Sequence, residues 1–210
     1  MSRKFQPEPA RTAATPPRET DRLRPLTPEP LSPDAFRPFG QVVRKPAHAP
    51  QLAVGCVQSW TVPFEGESPA QIMLNRFHRG SGRFSVLERH TRVTQCFFPL
   101  GGVGFIMVVA EATPDRAAPE PESVRAFVVE GAQGILLWTG TWHSIARFPI
   151  DAPHVDMCFV TDVETQAELE ACKADGSRPR LTHYVDFERT LGIGFEIVGY
   201  TDEADMPEYG

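Results

Sequence analysis

The stretch Leu87-Glu88-Arg89-His90-Thr91-Arg92-Val93-Thr94-Gln95-Cys96-Phe97-Phe98-Pro99-Leu100-Gly101-Gly102 decides the fold. It is rich in β-branched and aromatic residues and ends on a Gly-Gly turn signal, the composition of short strands joined by tight turns. Glu88 and His90 stand two apart, so on a strand both point to one face, which in a small barrel can be the interior. Moving outward, the same pattern recurs from residue 41 to 163. Residues 72–77, 84–87, 94–98, 103–109, 124–129 and 155–161 form apolar or aromatic runs punctuated by Gly, Pro, Asp and charge clusters. No long amphipathic helix interrupts them. Many short strands at regular spacing predict a mainly β sandwich or closed barrel rather than βαβ units. Gly101-Gly102-Val103-Gly104 lacks the Lys and following helix of a phosphate loop and reads as a tight turn. His78-Arg79-Gly80-Ser81-Gly82-Arg83 reads as a solvated basic turn.

Short helices flank this β region. Ser32-Pro33-Asp34-Ala35-Phe36 has Ser at the N-cap, Pro at the first helical position and an acidic first turn, and Gly40 ends it. Thr161-Asp162-Val163-Glu164 fits a capping box opening a helix that ends near Lys173 and Gly176. A short helix over 185–191, stopped by Gly192, and a strand over 195–200 follow. The expected organisation is a flexible Pro-rich tail over residues 1–25, one domain over 26–172, and an extension over 173–210 packed on the barrel.

Composition narrows the function classes. The 210 residues suffice for one substantial core, and the net charge of -6 disfavours nucleic acid and anionic membranes as partners while allowing a small anionic substrate. The four cysteines include no C-x-x-C pair and predict reduced thiols in a cytoplasmic protein. The N-terminus has no secretory apolar run, and Glu8, Glu19 and Asp21 disfavour a mitochondrial transit peptide. No apolar stretch approaches the roughly 18 residues of a membrane-spanning helix.

Two motif spacings carry the chemistry. Glu88-x-His90, then Gln95, then Gly102 resembles the first cupin motif, with Glu88 in place of its first His and Gln95 in place of its Glu. Gly140-Thr141-Trp142-His143 resembles the start of the second, with Arg147 where its Asn would stand. A Glu-x-His alone is usually a surface pair, and a lone Trp-His is usually packing. Both spacings in the right order argue for a shared internal site. The resemblance implies a cupin-type double-stranded β-helix and a metal set of Glu88, His90, Gln95 and His143. Two imidazoles and a carboxylate suit a divalent Ni, Mn, Fe or Zn ion with open positions, Gln95 being a weak oxygen donor or a substrate contact. No organic cofactor is expected.

At finer grain the chain resembles the ureidoglycolate lyase family. The carrying residues are Asn75-Arg76, Glu88-Arg89-His90, Thr94-Gln95-Cys96-Phe97-Phe98-Pro99, Arg125-Ala126-Phe127 and Trp142-His143, together with the opening Leu31-Ser32-Pro33-Asp34-Ala35-Phe36. The resemblance covers roughly residues 26 to 172. The family's second His and following Pro are Ser144 and Ile145 here. Membership implies a carbon–nitrogen lyase that splits ureidoglycolate into glyoxylate and urea, a late step of purine and allantoin breakdown. It implies His143, Glu88 and His90 as catalytic residues, with His143 or Glu88 the general base if no metal is held. Arg76 is the expected bidentate partner of the substrate carboxylate, with Gln95, Asn75 and Arg89 as further contacts. Pairing through sheet edges predicts a homodimer. Ser144 keeps two alternatives open: a cupin-type enzyme on a related small hydroxy acid or amide, and a non-catalytic small-molecule-binding cupin.

Overall fold

The computed structural model describes residues 23–202. Two sheets face each other. The first runs in the order Thr182–Asp186, Val86–His90, Trp142–Ser144, Phe105–Ala110, Arg125–Val129, Glu29–Pro30, with Phe148–Pro149 also paired to Phe105–Ala110. The second runs Gly40–Val43, Gly134–Leu137, Gln95–Leu100, His154–Asp162, Ala70–His78. The expected mainly β architecture with short flanking helices is the one observed.

Strand alternation explains how the first sheet is buried on both sides. Along Phe105–Ala110 every residue is buried. Phe105, Met107 and Val109 join Phe97, Ile135, Leu137, Val155 and Met157 of the second sheet in a core between the sheets, which Phe36 and Phe39 close at one end. Ile106, Val108 and Ala110 point the other way, into a second core with Leu87, Trp142, Phe148, Phe187, Phe195 and Ile197. That second core is capped by the C-terminal residues. Each fully buried Phe or Ile there contributes about 1.5–3 kcal/mol, so the extension is integral to the fold. Its strand Gly194–Ile197 pairs in parallel with Leu23–Leu26 and antiparallel with Arg83–Phe84. The strand at Leu23–Leu26 places residues 23–25 in ordered structure. The rest of the expected tail lies outside the described residues.

Local signals mostly act as expected. Ser32 Oγ accepts from Ala35 N at 3.2 Å at the head of the helix Pro33–Phe36. The long helix spans Val163–Asp175, and its cap is Asp162, one residue later than the expected Thr161. The Asp162 side chain accepts from Thr165 N at 3.0 Å. Gly176 closes it with φ 74°. The expected helix over 185–191 is shorter, Phe187–Leu191, because 182–186 is claimed by the sheet. Gly101 and Gly102, at φ 74° and 79°, make the turn out of Gln95–Leu100. Gly40 is required by proximity: a Cβ there would meet Leu136 O at 1.9 Å.

Candidate active site

Three neighbouring strands of the first sheet build the site. Glu88 and His90 are two apart on Val86–His90, and register sets His143 directly opposite Glu88. All three side chains therefore project from one face, toward the second sheet. Ring contact confirms the side: His143 lies 6.4 Å from Phe97 and 5.3 Å from His90, centroid to centroid.

The donor atoms converge. Glu88 Oε1 is 3.5 Å from His143 Nε2 and 3.9 Å from His90 Nε2. The far ring nitrogens are committed: His143 Nδ1 donates to Thr141 O at 3.1 Å, and His90 Nδ1 is 2.9 Å from Thr182 Oγ1. A carbonyl only accepts, so Nδ1 carries a proton and Nε2 is the ring nitrogen that faces the carboxylate oxygen. The 3.5 Å contact is electrostatic rather than a hydrogen bond, and His143 Nε2 is a buried atom without a hydrogen-bond partner among the described residues. A proton or a metal ion can be shared between these atoms. Atoms sharing one ion at bond lengths of about 2.0–2.2 Å lie roughly 3–3.5 Å apart; here the closest pair is at 3.5 Å and all three atoms lie within 4.8 Å, so the side chains would draw in around an ion. Gln95 reaches in from the second sheet. Its Oε1 is also buried without a partner among the described residues, and it lines a narrow space with His90, Val93, Leu137, Thr141 and His143. The residues fit a divalent ion held by Glu88, His90 and His143, with Gln95 beside it.

Electrostatics prepare the same set. Burial opposes ionisation of Glu88, but His143, His90 and Arg147 outweigh it and hold the carboxyl at about 2. Burial pushes His90 down to about 4, against the pull of Glu88, so its imidazole is neutral near pH 7, the form that ligates metals.

Arg147, read from sequence only as a motif position, is the notable further residue. It is buried, and burial lowers its guanidinium to about 10 against the opposing attraction of Glu88. It packs 4.4 Å over the Phe97 ring, and its Nη1 meets backbone carbonyls of Ser144, Ile145 and Ala146. Among the described residues its Nε has no partner and no carboxylate lies within ion-pair distance. Tyr184 stands opposite Glu88 on the edge strand, and burial, with the charge of Glu88, raises its phenol to about 12.

Two expected contacts are placed elsewhere. Arg76 is on the outer face of Ala70–His78, more than half exposed, and forms a bidentate pair with Asp156 at 2.7 and 2.8 Å. Arg89 is buried on the opposite side of its strand from Glu88 and His90, with its guanidinium 4.7 Å over Trp142 and its Nη1 on Thr113 O. Asn75 is half-buried on the inward side of its strand. Ser144 faces away from His143, and its Oγ donates to Ala146 O at 2.7 Å.

Fold and site together define a mainly β protein whose interior carries a carboxylate–imidazole centre. The sequence model described as ureidoglycolate lyase matches residues 23–178. The chain belongs to the ureidoglycolate lyase family. It is 34% identical over 129 residues to a ureidoglycolate lyase of Azotobacter vinelandii, covering 58% of this chain and 76% of that one. It is 33% identical over 129 residues to that of Pseudomonas syringae pv. tomato, covering 58% and 74%. Among solved structures, RmlC from Streptococcus suis in complex with dTDP-D-xylose superposes with a TM-score of 0.40 at 10% identity, over 65% of this chain and 63% of that one.

Proposed function

We propose that the protein is a ureidoglycolate lyase, releasing glyoxylate and urea, and that Glu88, His90 and His143 hold a divalent Ni, Mn, Fe or Zn ion. The observation that carries this is the convergence of three lone-pair atoms within 4.8 Å inside the core of a chain of this family. A bound ion would acidify the substrate hydroxyl coordinated to it. The chain's own residues do the rest. Arg147, a buried cation without a carboxylate partner among the described residues, binds the substrate carboxylate, the role sequence reading gave to Arg76. Gln95 Oε1 accepts a hydrogen bond from the substrate. Glu88 Oε2 takes the hydroxyl proton. A carboxylate held this firmly ionised is a weak base, adequate only for an acidified hydroxyl. The O–H electron pair becomes the carbonyl bond, the C–N pair leaves on the urea nitrogen, and the proton passes from Glu88 to that nitrogen.

The expected substrate is a small anion. Ser144 favours one second reading, a related hydroxy acid or amide, because the family's His at this position is absent. Substituting His90→Ala tests the site. Turnover of ureidoglycolate should fall at least about 100-fold with the fold intact by circular dichroism. Full activity in the variant would refute the assignment.

A further inference from the structure

The strand Thr182–Asp186 lies beyond residues 23–178, the part of the chain the family matches, and forms the outer edge of the sheet that bears the centre. Register places Tyr184 opposite Glu88 and Thr182 opposite His90. Directly opposed residues on neighbouring strands share a face, so both side chains project where the donor atoms converge. Thr182 is buried, and its Oγ1 sits 2.9 Å from His90 Nδ1. Tyr184, 47% exposed at the sheet edge, stands directly across the strand pair from Glu88.

Both residues thus stand beside the two ligands, Thr182 in contact with His90 and Tyr184 across from Glu88. An imidazole whose Nδ1–H is engaged presents its Nε2 lone pair in a fixed direction, and a hydrogen-bonded carboxylate keeps one orientation. We propose that this C-terminal strand is a working part of the centre. Thr182 is the positioning residue that holds His90 with Nε2 toward Glu88. Tyr184 is the positioning residue that turns the Glu88 carboxylate toward the two imidazoles. This rests on reading Glu88, His90 and His143 as a metal centre. The carbonyl of Thr141 does for His143 what Thr182 does for His90. One imidazole is thus fixed by the family-matched region and the other by the extension.

The test uses the full chain, labelled with 15N-histidine, first free of metal and then titrated with Ni2+ by calorimetry. In the wild type, His90 should carry its proton on Nδ1 and none on Nε2. Thr182→Val keeps the volume and removes the hydroxyl. It should scramble that tautomer and weaken Ni2+ binding about 10–100-fold, while Thr182→Ser keeps both near wild type. Tyr184→Phe should weaken Ni2+ binding about tenfold and leave the His90 tautomer unchanged. A wild-type His90 protonated on Nε2 overturns the role of Thr182 without recourse to any variant. Ni2+ binding by the wild type that is unchanged within twofold in Thr182→Val and Tyr184→Phe overturns the strand's role and spares the centre. A wild type that binds no Ni2+ overturns the metal reading, and the role of Tyr184 with it; the tautomer still decides Thr182.

Discussion

Replacing Arg147 with Met separates a residue kept for binding from one kept for folding. In the folded chain burial lowers the guanidinium from 12.5 to about 10, a penalty on the charged form of about 3 kcal/mol at roughly 1.4 kcal/mol per pH decade. At pH 7 the group is charged in both folded and unfolded chains, so this cost is present in full. Against it stand its contacts to three backbone carbonyls and to the Phe97 face, each worth about 1 kcal/mol net. Methionine retains most of the buried aliphatic stem. The variant should therefore unfold within about 2 kcal/mol of the wild type, as buried charges replaced by apolar residues often do. A charge-assisted contact to a carboxylate is worth about 1.5–3 kcal/mol, so KM for ureidoglycolate should rise about 10–100-fold. Urea denaturation and steady-state kinetics on the same preparation read both quantities. A stability loss well beyond 3 kcal/mol with KM unchanged would refute the reasoning and make Arg147 a structural residue.

Three further outcomes follow from contacts already described. Arg76→Ala should change stability by less than about 1 kcal/mol and leave KM within twofold, because its pair with Asp156 is exposed; a large rise in KM would restore Arg76 to the substrate. In the metal-free chain, His90 and Glu88 both have folded-state values below their unfolded ones, 6.5 to about 4 and 4.5 to about 2. Their contribution is thus present above the unfolded values and lost as pH falls, first between about 6.5 and 4 for His90, on the order of 3 kcal/mol, then below 4.5 for Glu88. Urea midpoints measured from pH 7 to 4 should decline, and less so in His90→Ala; equal slopes in the two proteins would contradict the burial argument. Gly40→Ala drives a Cβ into Leu136 O and should destabilise by about 3 kcal/mol or more, read as a lowered Tm.

The centre was legible in the sequence because strand period and motif spacing agree. Glu88 and His90 at i and i+2 must share a face, and the Gly-x-x-His spacing brings His143 to the neighbouring strand. The same alternation speaks against Arg89: a residue between two inward side chains points outward, where Trp142 covers it. Asn75 and Arg76, being adjacent, could not both face the interior either. The partner that holds Arg76 outside, Asp156, is 80 residues away, and no local signal marks that pairing. Thr182 and Tyr184 were hidden for the same reason. They reach the site only through the pairing of a late strand with Val86–His90, and residues 185–191 read locally as helix. Arg147 was noticed as a departure from a motif, but only burial and its lack of a carboxylate partner among the described residues turn it into a candidate anion site.

The most direct measurement is glyoxylate release from racemic ureidoglycolate by the purified full chain, as isolated, after chelation, and after return of Ni2+ or Mn2+. The account predicts turnover above the spontaneous rate, loss of it on chelation, and recovery with the added ion. Turnover that survives complete chelation would move the proton transfer to His143 Nε2 and remove the metal. The absence of turnover under every metal would contradict the assigned substrate.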